Sequence, residues 1–517
     1  HRKPRAGGEA QIQSTKETTT ACKDLTRRLR QLSLGLLVAT LALPSHAELY
    51  GGQPWLSHVQ RDLAPFWYKA AEKIPDGAFA SFLCNDASVP TSEQLQGGAA
   101  GLCPELAQAP DWIKEGFPYQ WTRMVSRQTF AYGVIYHMTG DPKALELARQ
   151  GVEFLRHKAL LPNGDVIGKF KNGQAADKPE DRTSQDLAYA QLGMAFYYYL
   201  TRDPAVLADI EKLHNFIFSH YLDKEHQRLT WYPASRQKDQ QVELVSQLDQ
   251  LNGYMVLLTP LLPAKEQQTW SNQMDWLASA IVRDFYYPQE QRFFGYIHDD
   301  SGRAADARHA DFGHTIKSFW MLYLVAKQRD DMLLQRFAEG GIYNILKRAY
   351  RQDLLKNLPL PGPADPHHAS DIIGWWGNRD GQDWSAWWEY AELDQAAATL
   401  GLQQAMPRQY LYLTWPSWFS SFVDKKNGEV WGGLGDTSSA KVHLWKNGYH
   451  SLEHALIGYL SGNSFQHQAM TLYFATPIQP GKSQPIYYYR GDILDSKAIG
   501  TSPSGLPLWQ ATVKHLH

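Results

Sequence analysis

The chain has 517 residues, and its 51 Lys+Arg against 53 Asp+Glu give a formal net charge of -2, without the basic surplus of a nucleic-acid-binding protein. Hydrophobic residues at 43% and charged residues at 20% describe a chain able to build a large core and exclude disorder for its bulk. Its 18 Trp, 27 Tyr and 20 Phe lie partly in Gly-rich, polar stretches where a dry core has no use for them, and so point to a carbohydrate partner.

Residues 1–24 are set aside from the fold. Arg27, Arg28 and Arg30 precede an apolar run from Leu32 to Leu43, then Pro44-Ser45-His46-Ala47. This has the three parts of a secretory signal peptide ending near Ala47, so 1–47 is an upstream extension plus leader. This run of 12 residues falls short of the roughly 20 that span a bilayer, and no stable membrane insertion is expected. Removing 1–47 leaves 43 basic and 50 acidic residues, a mildly acidic protein that is expected to be periplasmic or secreted. Residues 48–116 contain a helix near 58 and a segment carrying Cys84 and Cys103, whose pairing as a disulfide fits an oxidising compartment.

From 117 to 464 long amphipathic stretches are separated by turns. The turns TGDPKAL at 139, TRDPAVL at 201, LPAKEQQ at 262, KQRDDML at 327 and GLQQAMP at 401 recur at intervals of 62, 61, 65 and 74 residues. Each interval holds a helical hairpin. First helices are expected near 117, 183, 241, 309, 383 and 449, and second helices near 141, 203, 264, 330, 404 and 58. Six such hairpins close into an all-α (α/α)6 barrel, an open solenoid being the competing arrangement. The aromatic joins RLTWYP, RFFGYIHDD and GEVWGGLGD predict short β-hairpins at one mouth. Residues 465–517 read as an appended segment with strands.

Polar residues recur at the repeat interval on the inner helices: Arg127, Asp186, Asp249, His314, Glu392 and His450. They are expected to converge on the axis. His314 and His450 at matching helix starts suit proton transfer, because imidazole titrates near neutrality, and Arg127 suits stabilising an enediolate or binding a sugar oxygen. His309, Asp311 and His314 form an H-x-D-x-x-H, but Asp311 sits where a helix cap belongs and no metal site is assigned. Trp121, Trp375, Trp376, Trp384, Trp387, Trp388, Trp431 and Trp445 suit stacking on a pyranose. Nucleotide-binding and serine-hydrolase motifs are absent.

On these residues the chain resembles the N-acylglucosamine 2-epimerase family of sugar epimerases and aldose–ketose isomerases. SRQTFAYG places Arg127 at the family's sugar-binding arginine. FGHTIKSFW places His314, and KNGYH places His450, at its two acid/base histidines; WWEYAE places Trp387, Trp388 and Glu392 in its W-W-x-x-A-E segment. The resemblance implies an (α/α)6 barrel, a mono- or oligosaccharide substrate and no cofactor. Two positions depart from it. Lys317 stands where the family has Glu, and Asp249 and Asn252 stand where it has His and Glu. Lys317 is expected to lower the basicity of His314. Three readings follow: a C2 epimerase or isomerase; a hydrolase or lyase using carboxylates such as Asp249, Asp311, Asp383 or Glu392; and an inactive sugar-binding protein.

Overall fold

The computed structural model describes residues 51–74, 77–97, 100–236, 242–295, 309, 311–349, 386–481 and 483–517. The extension and leader assigned to 1–47 lie outside the described residues, as do Asp383, Trp375, Trp376 and Trp384.

Six helices form the inner ring: Thr122–Thr139, Ser184–Thr201, 244–258, Phe312–Arg329, Trp387–Gly401 and Gly448–Phe465. All are buried along nearly their whole length, which explains why little amphipathic signal survives in them. The outer helices, 142–159, Pro204–His220, 264–285, Met332–Ala349 and 408–422, keep one wet face. Local chemistry sets their starts. Asp141 and Asp203 accept hydrogen bonds from Lys143 N and Ala205 N at 3.0 and 2.9 Å, each followed by Pro at the first helical position, where no N–H is missed.

The sixth hairpin is split across the chain. Helix 53–71 supplies its outer member and packs on the last inner helix, so closing the ring. The Trp55 ring packs at an incline on His454, their centres 4.7 Å apart, and Trp67 Nε1 donates to Glu429 at 2.7 Å. The structure is the (α/α)6 barrel that the repeat interval implies.

The joins define two unlike ends. The first free N–H of an inner helix bonds to the join that follows its own hairpin in four cases: Thr122 to Gly168 O, Ser184 to Trp231 O, Leu244 to Gly295 O and Trp387 to Gly432 O, at 2.7–3.2 Å. Strand pairs Leu222–Asp223 with Arg228–Leu229, and Tyr286–Tyr287 with Arg292–Phe293, lie in these joins, as does the sheet of 120–121, 169–171 and 174–175. The aromatic joins therefore wall the mouth at which the inner helices begin, and direct their N-terminal dipoles into it.

At the opposite end, strands Met470–Phe474, Pro507–Lys514, Tyr489–Thr501 and Ser483–Ile486 form an antiparallel sheet in that spatial order. It covers the C-terminal ends of the inner helices. Tyr136 Oη donates to Phe474 O at 2.6 Å, Ala475 N to Leu200 O at 2.9 Å and Tyr488 Oη to Asn252 O at 2.8 Å. The segment read as appended belongs to the same compact unit as the barrel and forms its floor. The Cys84–Cys103 disulfide closes a loop beside the mouth. Among the described residues no helix is long and apolar enough to cross a membrane.

Candidate active site

A cavity of about 220 Å³ opens at the helix-start mouth. Arg127, His314, Lys317, Trp387, Trp388, Trp445 and His450, all singled out in the sequence, line it, as does His309 of the H-x-D-x-x-H, together with Gln185 and Tyr189, which were not singled out. Asp249, Asn252 and Glu392 are fully buried beneath it, and Trp121 stands outside, half-buried, with Nε1 donating to Gly116 O at 3.2 Å. Asp186 is likewise outside, paired with Arg123 at 2.9 Å.

His314 is fixed by Asp311, which does two jobs. As the helix cap its Oδ1 accepts from His314 N at 2.9 Å, and its Oδ2 lies 2.8 Å from His314 Nδ1. With the Nδ1–H donated to this carboxylate, Nε2 carries the free lone pair. Burial lowers the His314 pKa below the ordinary imidazole value against the opposing pull of Asp311, with His309 and Lys317 adding to the fall. Asp311 itself resists burial through His314 and stays below the usual carboxylate value. Glu389, behind it, is held well above that range, first by burial and then by the neighbouring Asp311. Glu389 was missed in the sequence, hidden inside the WWEYAE run whose last residue drew attention instead.

His450 has a different setting. Burial and the cations Lys317 and Arg127 push its pKa well below the ordinary value. Its Nδ1 has no hydrogen-bond partner and faces Glu392 Oε1 at 3.7 Å. Trp388 stands by both histidines, its ring centre 4.7 Å from His314 and 6.0 Å from His450. Arg127 lies over the Tyr189 ring at 4.1 Å and donates to Trp445 O at 3.0 Å.

The two departures from the family pattern form one feature. Lys317 Nζ lies 3.3 Å from Asp249 Oδ1, 3.4 Å from Tyr189 Oη and 3.8 Å from Glu392 Oε1. Gln185 donates to the other Asp249 oxygen at 2.8 Å, and the Asn252 amide is best satisfied with its NH2 toward Asp249 Oδ1 at 2.9 Å. Acid and base have exchanged places across this contact. Burial opposes the Lys317 ammonium, yet Tyr189, Asp249, Glu392 and Glu453 together hold its pKa above the ordinary lysine value. Its charge is thus largely answered from below. One ammonium cannot serve every carboxyl around it, and Glu392 and Glu453 are raised toward neutrality, first by burial, with Lys317 pulling the other way.

No family model and no characterised protein sequence matches the chain. Solved structures do. A sugar epimerase from a ruminal bacterium superposes with a TM-score of 0.59 at 15% identity over 80% of this chain and 99% of its own. Cellobiose 2-epimerase from Bacillus thermoamylovorans gives 0.61 at 13%, over 79% and 98%, and a D-mannose isomerase 0.59 at 14%, over 79% and 97%. An unsaturated glucuronyl hydrolase specific for heparin gives 0.52 at 13%, over 80% and 98%. At such identities the likeness is one of fold: the chain has the (α/α)6 barrel of the sugar epimerases and isomerases, a ring that also carries glycoside hydrolysis.

Proposed function

We propose that the protein is a sugar C2 epimerase or aldose–ketose isomerase acting by proton transfer between two histidines. The observation that carries this reading is the pair His314 and His450 on one cavity, the first with Nδ1 held by Asp311 and Nε2 free. His314 Nε2 takes the C2 proton of an open-chain sugar, and the C2–H electrons move into a C1–C2 double bond while O1 becomes anionic. Arg127 and the converging helix N-termini stabilise that oxygen. His450, entering the step protonated, gives its proton to C2 from the other face while the O1 electrons re-form the C1 carbonyl, giving the epimer; proton delivery to C1 instead, with the O2 proton passing to O1, gives the ketose. Asp311 favours the imidazolium formed on His314, and the site calls for no cofactor.

The carboxylates required for hydrolysis are less well placed. None lines the cavity among the described residues; Asp249 and Glu392 lie beneath it on Lys317, and Asp311 is engaged by His314. We further propose that the protein works in the periplasm or outside the cell, a reading supported by the leader-like segment before Glu48 and by the disulfide.

The test is incubation of the protein from Glu48 onward in deuterated water with mannose, glucose, N-acetylglucosamine, cellobiose and short β-linked oligosaccharides, read by NMR. Deuterium at C2 or C1 is expected, falling about 10²-fold or more in His314→Ala and in His450→Ala. A new reducing end without exchange would move the chemistry to hydrolysis. Saturable binding with neither would leave an inactive sugar-binding protein.

A further inference from the structure

Outside the cavity its wall continues as a row of alternating rings and cations. Trp445 lines the cavity and is 38% exposed. The Arg123 guanidinium lies over this ring, 3.6 Å from its centre, and is 5.1 Å from the ring of Trp121. Lys169 Nζ follows, 5.3 Å from Trp121 and 4.2 Å from Tyr119. The strand register that sets Trp121 opposite Lys169 holds these two side by side. Tyr119 then borders a second cleft of about 300 Å³, whose wall includes Val89, Pro90 and Leu95 from the loop closed by the Cys84–Cys103 disulfide.

The charges along this row are unequal. Arg123 is answered by Asp186 at 2.9 Å. Among the described residues Lys169 and Arg127 have no carboxylate partner, although the chain as a whole carries an acidic excess. Both cations rest on aromatic faces, which fixes them before a ligand arrives and removes part of the ordering cost of binding. A row of this length serves no purpose for a lone hexose held in the cavity.

We propose that the substrate is an acidic oligosaccharide: its reacting end enters the cavity, and a uronate carboxylate on a following ring meets Lys169 on the way to the second cleft. The identity of the reacting end rests on the proton-transfer reading above; the acidic preference does not. Calorimetry with the protein from Glu48 onward separates the two. The probes are di- and trisaccharides with a hexose at the reducing end and a hexuronate at the other, their neutral counterparts of the same linkage, and the free hexose. The acidic members are expected to bind about tenfold more tightly at low salt, with the advantage shrinking as salt rises. Lys169→Met is expected to abolish that advantage and leave neutral binding unchanged, which also shows that the variant is folded. Equal binding of acidic and neutral probes, or a preference that survives Lys169→Met, would overturn the proposal. Acidic preference without C2 exchange would remove only the proposed reaction; exchange without acidic preference would remove only this inference.

Discussion

His314 and His450 carry the same side chain into one cavity and leave it differently equipped. Asp311 makes His314 the better proton acceptor, since the carboxylate at 2.8 Å stabilises the imidazolium and fixes the tautomer. Asp311→Asn keeps the size of the cap but presents a neutral partner to Nδ1. Loss of exchange by roughly 10²–10⁴-fold is expected, with saturating sugar concentration little changed; equal loss from Asp249→Asn would deny His314 its special place. His314 must be neutral to take the C2 proton and its imidazole is lowered, so the acid limb of the kcat/KM profile is expected below the ordinary imidazole value of 6.5, which a pH series measures directly. Lys317 makes a second case. Lys317→Met strands the Asp249 carboxylate in a dry setting and is expected to cost about 3–5 kcal/mol in urea unfolding. The exchange Asp249→His with Lys317→Glu restores the family polarity, and a double-mutant cycle is expected to show the pair more stable than the sum of its parts. The sequence displays His314, His450, Arg127 and the tryptophans, because each stands in a short local run. It does not display the Lys317–Asp249 contact, which joins residues 68 apart, and so Lys317 reads there as a bare cation beside His314.

At the level of elements the repeat interval is legible because turn chemistry is local: Asp-Pro starts, and the breaks between hairpins, need only neighbouring residues. The seam that closes the ring is not local. Helix 53–71 meets helix Gly448–Phe465 from the far end of the chain, and two glycines let it approach. A Cβ on Gly458 would stand 2.3 Å from Trp55 Cε2, and one on Gly448 2.8 Å from Trp67 Nε1. Both indoles are fully buried and have nowhere to turn. Gly458→Ala is therefore expected to destabilise by about 1–3 kcal/mol or more. Gly340, on outer helix Met332–Ala349, has nothing within 4 Å of the same position, and Gly340→Ala is expected to stabilise by about 0.5–1 kcal/mol through backbone entropy. Thermal unfolding of the two variants side by side checks the seam, and a Gly458→Ala protein as stable as wild type would mean that the ring does not close through Trp55.

Across the whole molecule the barrel has a working mouth and a sealed floor, and the floor places buried charge under the site. The tail looks appended in sequence because its Pro- and Tyr-rich runs have no helical period, yet Tyr487, Tyr488 and Tyr489 are buried against the inner ring. Little water reaches Glu392 and Glu453, and burial drives both toward their protonated forms. The sign of the resulting pH dependence follows. From the ordinary glutamate value of 4.5 up toward neutrality, the folded chain retains protons that the unfolded chain has released, so these two groups make stability fall as pH rises. The depressed histidines act in the opposite sense. His314, His450 and His454 stay neutral in the fold while the unfolded chain protonates below 6.5, so their contribution grows as pH rises to that value. Subtraction isolates the carboxyls. Glu392→Gln keeps every histidine and removes one proton-holding acid, so urea midpoints taken from pH 5 to 8 are expected to decline less in the variant than in wild type, with the two curves parting as pH increases. Parallel curves would mean that Glu392 is ionised in the fold and that Lys317 answers it as fully as it answers Asp249. In that case the same carboxylate would stand charged 3.7 Å from His450 Nδ1, and both histidines of the cavity would have an anionic partner rather than His314 alone.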